Sequence, residues 1–217
     1  MLRYPVILFD LDGTLLDTLQ DLAYSVNAAL QEFGLPCRSL EEIRNFVGNG
    51  AAVLMEKALP MDSPPDLQRA CLSYFRDHYA KHLAERTAPY QGIAELLAAL
   101  ERAGARMAVI SNKPNQAVEP LVQRFFGTAF AAVLGETPEL AKKPEPDMVL
   151  YILKHLGARP GEAVYVGDSE VDILTAQNAA LPCCSVTWGF RSADTLRESG
   201  AKQLFRSPEE LRSWLLP

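Results

Sequence analysis

Short apolar runs, Val6 to Phe9, Met107 to Ile110 and Ala163 to Val166, are each followed within two residues by a polar one. Runs this short, with no polar position inside them, read as strands buried on both faces. Between the first two runs the pattern changes period. Residues 18 to 34 carry Leu19, Leu22, Val26, Ala29, Leu30 and Phe33 near helical spacing, and Gly34-Leu35-Pro36 ends them. More helix follows: Ser39 with Glu42 forms a capping-box pattern, Gly48-Asn49-Gly50 breaks the chain, and residues 66 to 84 read as helix again. After Ala88-Pro89-Tyr90-Gln91-Gly92 the chain alternates. The spacing predicts helix 92–103, strand 105–111, helix 115–126, strand 130–134, helix 146–156, strand 163–167, helix 169–180, strand 183–188 and helix 207–216. Such alternation implies a parallel sheet with helices on both faces. The predicted fold is therefore α/β, with residues 1–16 and 87–217 forming the core and residues 17–86 an all-helical insertion.

Composition narrows the function without naming it. Of 217 residues, 48% are apolar and 22% charged, the profile of an ordinary soluble globular chain. The net charge of −6 lacks the basic footprint of a nucleic-acid binder, and no apolar run approaches the ~20 residues of a membrane span. Met1-Leu2-Arg3-Tyr4-Pro5 leads directly into a strand, so the expected location is the cytoplasm. Cys37, Cys71, Cys183 and Cys184 show no Cys-x-x-Cys spacing and read as reduced structural thiols.

Chemistry concentrates where the strands end. Asp10 and Asp12 stand two positions apart, so strand alternation turns both toward one reacting group while Gly13 lets the chain bend away. The alternative is plain turn chemistry. Ser111 and Asn112 end the second run, where a hydroxyl and an amide could bind a ligand or cap a helix. In Lys142-Lys143-Pro144-Glu145-Pro146 the prolines stiffen the segment and can aim an ammonium at phosphate oxygens, although an exposed basic loop would look the same. Asp168 follows the run Ala163 to Val166, and Asp172 lies one helical turn further on. With Asp10 and Asp12 they make a hard oxygen donor set suited to magnesium. Thr187-Trp188-Gly189-Phe190 reads mainly as aromatic core, and His78 and His82, four apart, as surface residues.

In this order, Asp-x-Asp-Gly-Thr, Ser, Lys-Pro-x-Pro and Gly-Asp-Ser-x-x-Asp resemble the motifs of the haloacid dehalogenase superfamily over essentially the whole chain. Phe46-Val47-Gly48-Asn49-Gly50-Ala51 is similar to a segment of its phosphoglycolate phosphatases. The resemblance implies a Rossmann-like, doubly wound core with a helical cap, and a phosphatase working through an aspartyl phosphate. It makes Asp10 the nucleophile, Asp12 the acid and base, and Asp10, the Asp12 carbonyl and Asp168 the magnesium ligands. Asp172 would orient Lys143 or a metal-bound water. Ser111, Asn112, Lys143 and the Gly13 amide would hold phosphate oxygens, and Arg44, Gly48, Asn49 and Gly50 would face the substrate from the cap.

The expected partner is a small phosphorylated metabolite, 2-phosphoglycolate first, acted on by a monomer or homodimer. A mutase of the β-phosphoglucomutase type is the nearest rival, followed by pyrophosphatase or nucleotidase activity and, last, a non-enzymatic regulatory module. Asp12 argues against carbon–halogen cleavage, because the dehalogenating branch usually lacks that second acid.

Overall fold

The computed structural model describes residues 1–217. Strand β1 (Val6–Phe9) leads through the short β2 (Leu16–Asp17) into four helices, α1 (Leu19–Glu32), α2 (Leu40–Phe46), α3 (Ala51–Ala58) and α4 (Pro65–His82). The chain returns at β3 (Ala88–Pro89), which pairs antiparallel with β2. It continues as α5 (Ile93–Arg102), β4 (Arg106–Pro114), α6 (Asn115–Phe126), β5 (Ala132–Glu136), α7 (Asp147–His155), β6 (Ala163–Gly167) and α8 (Glu170–Asn178). Strand β7 (Cys183–Val186), α9 (Ala193–Glu198), β8 (Leu204–Phe205) and α10 (Pro208–Leu215) complete it.

Six strands form one parallel sheet in the order β5-β4-β1-β6-β7-β8. Alternation divides their residues between two cores. Ile7, Phe9, Met107, Val109, Val164 and Val166 meet α5, α6 and α10 on one face, while Val6, Leu8, Ala108, Ile110, Ala163 and Tyr165 meet α7 and α8 on the other. Two-sided burial is why the runs are continuous instead of alternating, each buried aliphatic side chain contributing about 1.5–3 kcal/mol. The first strand stands inside the sheet, so the strand order reverses beside it. A crevice opens at the carboxyl ends of such a pair.

Helices α1 to α4 close a third core, in which Leu22, Val26 and Leu30 pack with Ile43, Leu54, Met55, Phe75 and Tyr79, and Ala117 and Phe190 join it from the sheet side. The capping box forms as expected: Ser39 Oγ accepts from Glu42 N–H, and Glu42 Oε2 accepts from Ser39 N–H at 2.8 Å. Asp21, buried in the first turn of α1, accepts from the N–H of Arg86, the N–H of Thr87 and the Thr87 hydroxyl, the last at 2.7 Å. That carboxylate fastens the returning chain to the first helix. No helix is long and apolar enough to cross a membrane.

The structure extends the sequence reading at several points. Strand β4 does not stop at Ser111 but continues to Pro114 through a register irregularity against β5, so Ser111 is a strand residue and not a helix cap. Polar residues inside a strand give no apolar signal, which is why the extension was not expected. Strands β2, β3 and β8 are two residues each, too short to show a period. Helix α9 is six residues, started by Ser192, whose side chain accepts from Thr195 N–H. His78 and His82 are half-buried and stack at 4.3 Å between ring centres instead of lying free on the surface.

Candidate active site

The carboxyl end of β1 places Asp10 at the point where the strand order reverses, its N–H bonded to the Val166 carbonyl of β6 at 2.9 Å. Lys143 meets it there. The buried ammonium lies 2.8 Å from Asp10 Oδ1 and 2.8 Å from Asp172 Oδ1, and donates to Tyr165 Oη at 3.1 Å, which commits its three N–H bonds. The other oxygen of Asp172 accepts from the N–H and hydroxyl of Ser169, so this carboxylate is spent on positioning. Asp168 is held as firmly: Oδ1 accepts from the Thr14 hydroxyl at 3.0 Å and Oδ2 from Phe190 N–H at 2.7 Å.

Two glycines let the backbone close on Asp168. A Cβ on Gly13, whose φ is +87°, would lie 2.3 Å from Asp168 Oδ2, and one on Gly189 would lie 2.4 Å from the same oxygen. The Thr187–Phe190 segment, expected as core, thus supplies the Phe190 amide to Asp168, and Trp188 donates its indole N–H to the Thr14 carbonyl.

Asp12 sits in a different pair. Its Oδ1 accepts from the Thr18 hydroxyl at 2.6 Å and lies 2.9 Å from Lys113 Nζ, an ammonium that sequence reasoning did not single out. In the extended β4, Ser111 and Lys113 are two apart and share a face. That period would have found Lys113 had the strand been followed past Ser111.

Burial and like charge act strongly here. Burial first, and the neighbouring Asp172 second, raise the Asp10 carboxyl well above its ordinary range against the pull of Lys143. The same two causes push Asp168 up to about 7. Burial opposes the Lys143 charge, but Asp10 and Asp172 outweigh it and hold the ammonium well above its usual value. Carboxylate oxygens of Asp10, Asp168 and Asp172 lie within 4.8 Å of one another. Together with Asp12, four carboxylates face the two ammoniums of Lys113 and Lys143, an excess of negative charge on hard oxygen donors that suits a divalent cation.

A cavity of about 830 Å³ opens over these groups, bounded by Asp10, Asp12, Ser111, Lys113, Lys143 and Asp168 from the sheet edge and by Gly48, Gly50, Leu54, Phe75 and Tyr79 from the helices. The loop between α2 and α3 is gripped by the sheet side. Arg191, paired with Glu170, donates to the carbonyls of Arg44 and Val47, Asn112 Nδ2 to that of Gly48, and Lys142 to that of Asn49. Arg191 thereby satisfies carbonyls at the open end of α2.

Several expected roles are corrected by these contacts. The Asn112 amide is occupied by the Gly48 and Lys143 carbonyls, and the Gly13 N–H by the Leu16 carbonyl, so neither donor is available to a phosphate. Arg44 pairs with Glu41 on its own helix at 3.6 Å and does not line the cavity. Asn49 also lies outside the lining, meeting the sheet side through its carbonyl, whereas Gly48 and Gly50 do line it. Ser111 Oγ accepts from Lys113 N–H, which leaves its own O–H to donate.

A parallel sheet that carries its acids at the reversal of strand order, under a helical roof, is the frame in which open α/β sheets bind their ligands. The chain belongs to the haloacid dehalogenase-like hydrolase family, whose model matches residues 7–186. The phosphoglycolate phosphatase of Pseudomonas putida is 37% identical over 191 residues, covering 85% of this chain and 70% of that protein. The phosphoglycolate phosphatase of Vibrio parahaemolyticus is 36% identical over 213 residues, covering 95% and 93%. A crystal structure from Lactobacillus delbrueckii subsp. bulgaricus superposes with a TM-score of 0.94 at 34% identity, covering 100% of this chain and 99% of that one. The protein is accordingly an enzyme, and its relatives are phosphoric monoester hydrolases.

Proposed function

We propose that the protein is a magnesium-dependent phosphatase that hydrolyses a small phosphomonoester, 2-phosphoglycolate foremost, through an aspartyl phosphate on Asp10. The observation that carries this reading is the pairing of Asp10 with the buried Lys143 at 2.8 Å, with Asp12 lining the same cavity. Asp10 attacks phosphorus in line, and Asp12 gives a proton to the departing alkoxide. Asp12 then takes a proton from water as that water attacks the aspartyl phosphate, releasing phosphate and restoring Asp10. The Ser111 hydroxyl meets the nonbridging oxygens, and the positive charge of Lys143, fixed beside Asp10, offsets theirs as it shifts in the transition state.

Asp10, Asp168 and the Asp12 carbonyl would hold the magnesium ion, with Asp172 keeping Lys143 in line. The bound ion supplies the charge that lets a carboxylate approach a phosphate dianion. Residues 17–86 serve as the cap that excludes water and selects the leaving group.

A phosphate-release screen over phosphoglycolate, sugar phosphates, nucleotides and pyrophosphate, with and without magnesium, tests the reading. The expected result is magnesium-dependent release with phosphoglycolate leading in kcat/KM. Isomerised sugar phosphate with no free phosphate would point to a mutase and overturn it.

The acid cluster also sets a pH response. Asp10 and Asp168 keep protons in the folded state at pH values where the unfolded chain, with carboxyls near ~3.9, has lost them. The folded state binds more protons, so in cation-free protein stability falls as pH rises from roughly 4 through about 7. Lys143 stays charged across this window. The melting temperature in a chelator should therefore drop between pH 5 and pH 8, and magnesium should raise it more at pH 8. Equal stabilisation at both pH values would contradict a metal held by these acids.

A further inference from the structure

Resting on the phosphatase reading, we propose that Lys113 and Tyr79 recognise a carboxylate on the leaving group, making them the residues that select a phosphorylated short hydroxy acid over a neutral phosphate ester. The two buried ammoniums differ in what they have left to give. Lys143 is saturated by Asp10, Asp172 and Tyr165. Lys113, its side chain 4% exposed, meets a single carboxylate, Asp12 at 2.9 Å, and leans on Tyr79, which leaves it an N–H at the cavity wall. Arg191, the neighbouring buried cation, is spent on Glu170 and two carbonyls.

Tyr79 comes from the other side of the cavity. The Lys113 ammonium lies 4.6 Å from the centre of its ring and leans on its oxygen, but the buried Tyr79 O–H donates to no acceptor in the protein. Buried tyrosine hydroxyls ordinarily find a partner, so an orphan on the wall of a cavity points to a ligand. Burial also pushes this phenol up to about 12, which keeps it a donor at neutral pH.

Position relative to the chemistry identifies that ligand. The oxygen that leaves phosphorus lies within hydrogen-bond reach of Asp12, its proton source. In a phosphorylated two-carbon hydroxy acid the carboxylate carbon is two bonds from that oxygen, which brings it beside the ammonium paired with Asp12. A charge-assisted bond from Lys113 and a neutral one from Tyr79 then satisfy both groups. A sugar phosphate presents only neutral hydroxyls there.

The test compares kcat/KM for 2-phosphoglycolate with that for 2-hydroxyethyl phosphate, of equal length but lacking the carboxylate. Lys113→Met should slow both, because Lys113 also holds Asp12, but the ratio of the two should fall about 100-fold. Tyr79→Phe, which removes one hydroxyl and keeps the packing, should lower the ratio about 10-fold and carries the test if the lysine variant does not fold. Lys113→Arg should keep most of the ratio by keeping the charge. Parallel losses with an unchanged ratio would show that Lys113 acts only through Asp12, and equal use of both esters by the unaltered enzyme would also overturn the assignment. No phosphate release from any ester would instead remove the phosphatase reading on which it rests.

Discussion

Replacing Asp10 by asparagine should abolish turnover of every phosphomonoester the enzyme accepts, lowering kcat by at least about 10⁴-fold while leaving the protein as stable as before or more so. The two halves of this expectation have different causes. An amide fills the space of the carboxylate but cannot form the acyl phosphate, so activity goes with the nucleophile. Stability does not follow, because burial and Asp172 already penalise a charge at this position more than Lys143 rewards it. The neutral amide escapes the penalty that burial and Asp172 place on a charge there. Phosphate release measured with magnesium, alongside melting at pH 8 in a chelator, separates the two. Turnover near the unaltered rate would end the nucleophile assignment, and a large loss of stability would make any loss of activity uninformative.

Lys143→Met should be damaging in both respects. The side chain keeps its bulk, but Asp10 and Asp172 are left buried with no cation between them. Breaking a buried ion pair from one side typically costs about 3–5 kcal/mol, because the remaining charge is stranded. For a chain of this size that corresponds to a fall of roughly 6–20 °C in melting temperature. The deficit should be smaller at pH 5 than at pH 8, because burial and Asp172 favour a proton on Asp10 as pH falls, and that proton removes part of the stranded charge. Phosphate release should fall by about 10³-fold or more, because no positive charge beside Asp10 then offsets the phosphate dianion. Thermal melts at the two pH values decide the matter: an unchanged melting temperature at pH 8 would mean that Lys143 does not neutralise these acids.

What could be read from the sequence follows the physics of each signal. The central strands were legible because burial on both faces forces unbroken apolar runs, and Asp10 and Asp168 because each directly follows one. Asp172 falls one turn along α8, so its proximity to Asp168 was a local inference, and the structure adds its 2.8 Å pairing with Lys143. Lys113 was hidden because polar residues carry β4 beyond its apolar part. The grip on the α2–α3 loop and the support of Asp168 by Phe190 depend on backbone groups, which every residue has and no side-chain pattern advertises. Arg44 was misplaced for the same reason: its carbonyl faces Arg191 while its guanidinium turns to Glu41.

The paired strands β2 and β3, tied together again by Asp21, have a mechanical corollary. On the proposed cap reading these two strands are the hinge, and uncovering the crevice would swing the helical body as one piece. Arg191, Asn112 and Lys142 then form the latch on the far edge, holding four carbonyls that must be released in the same movement.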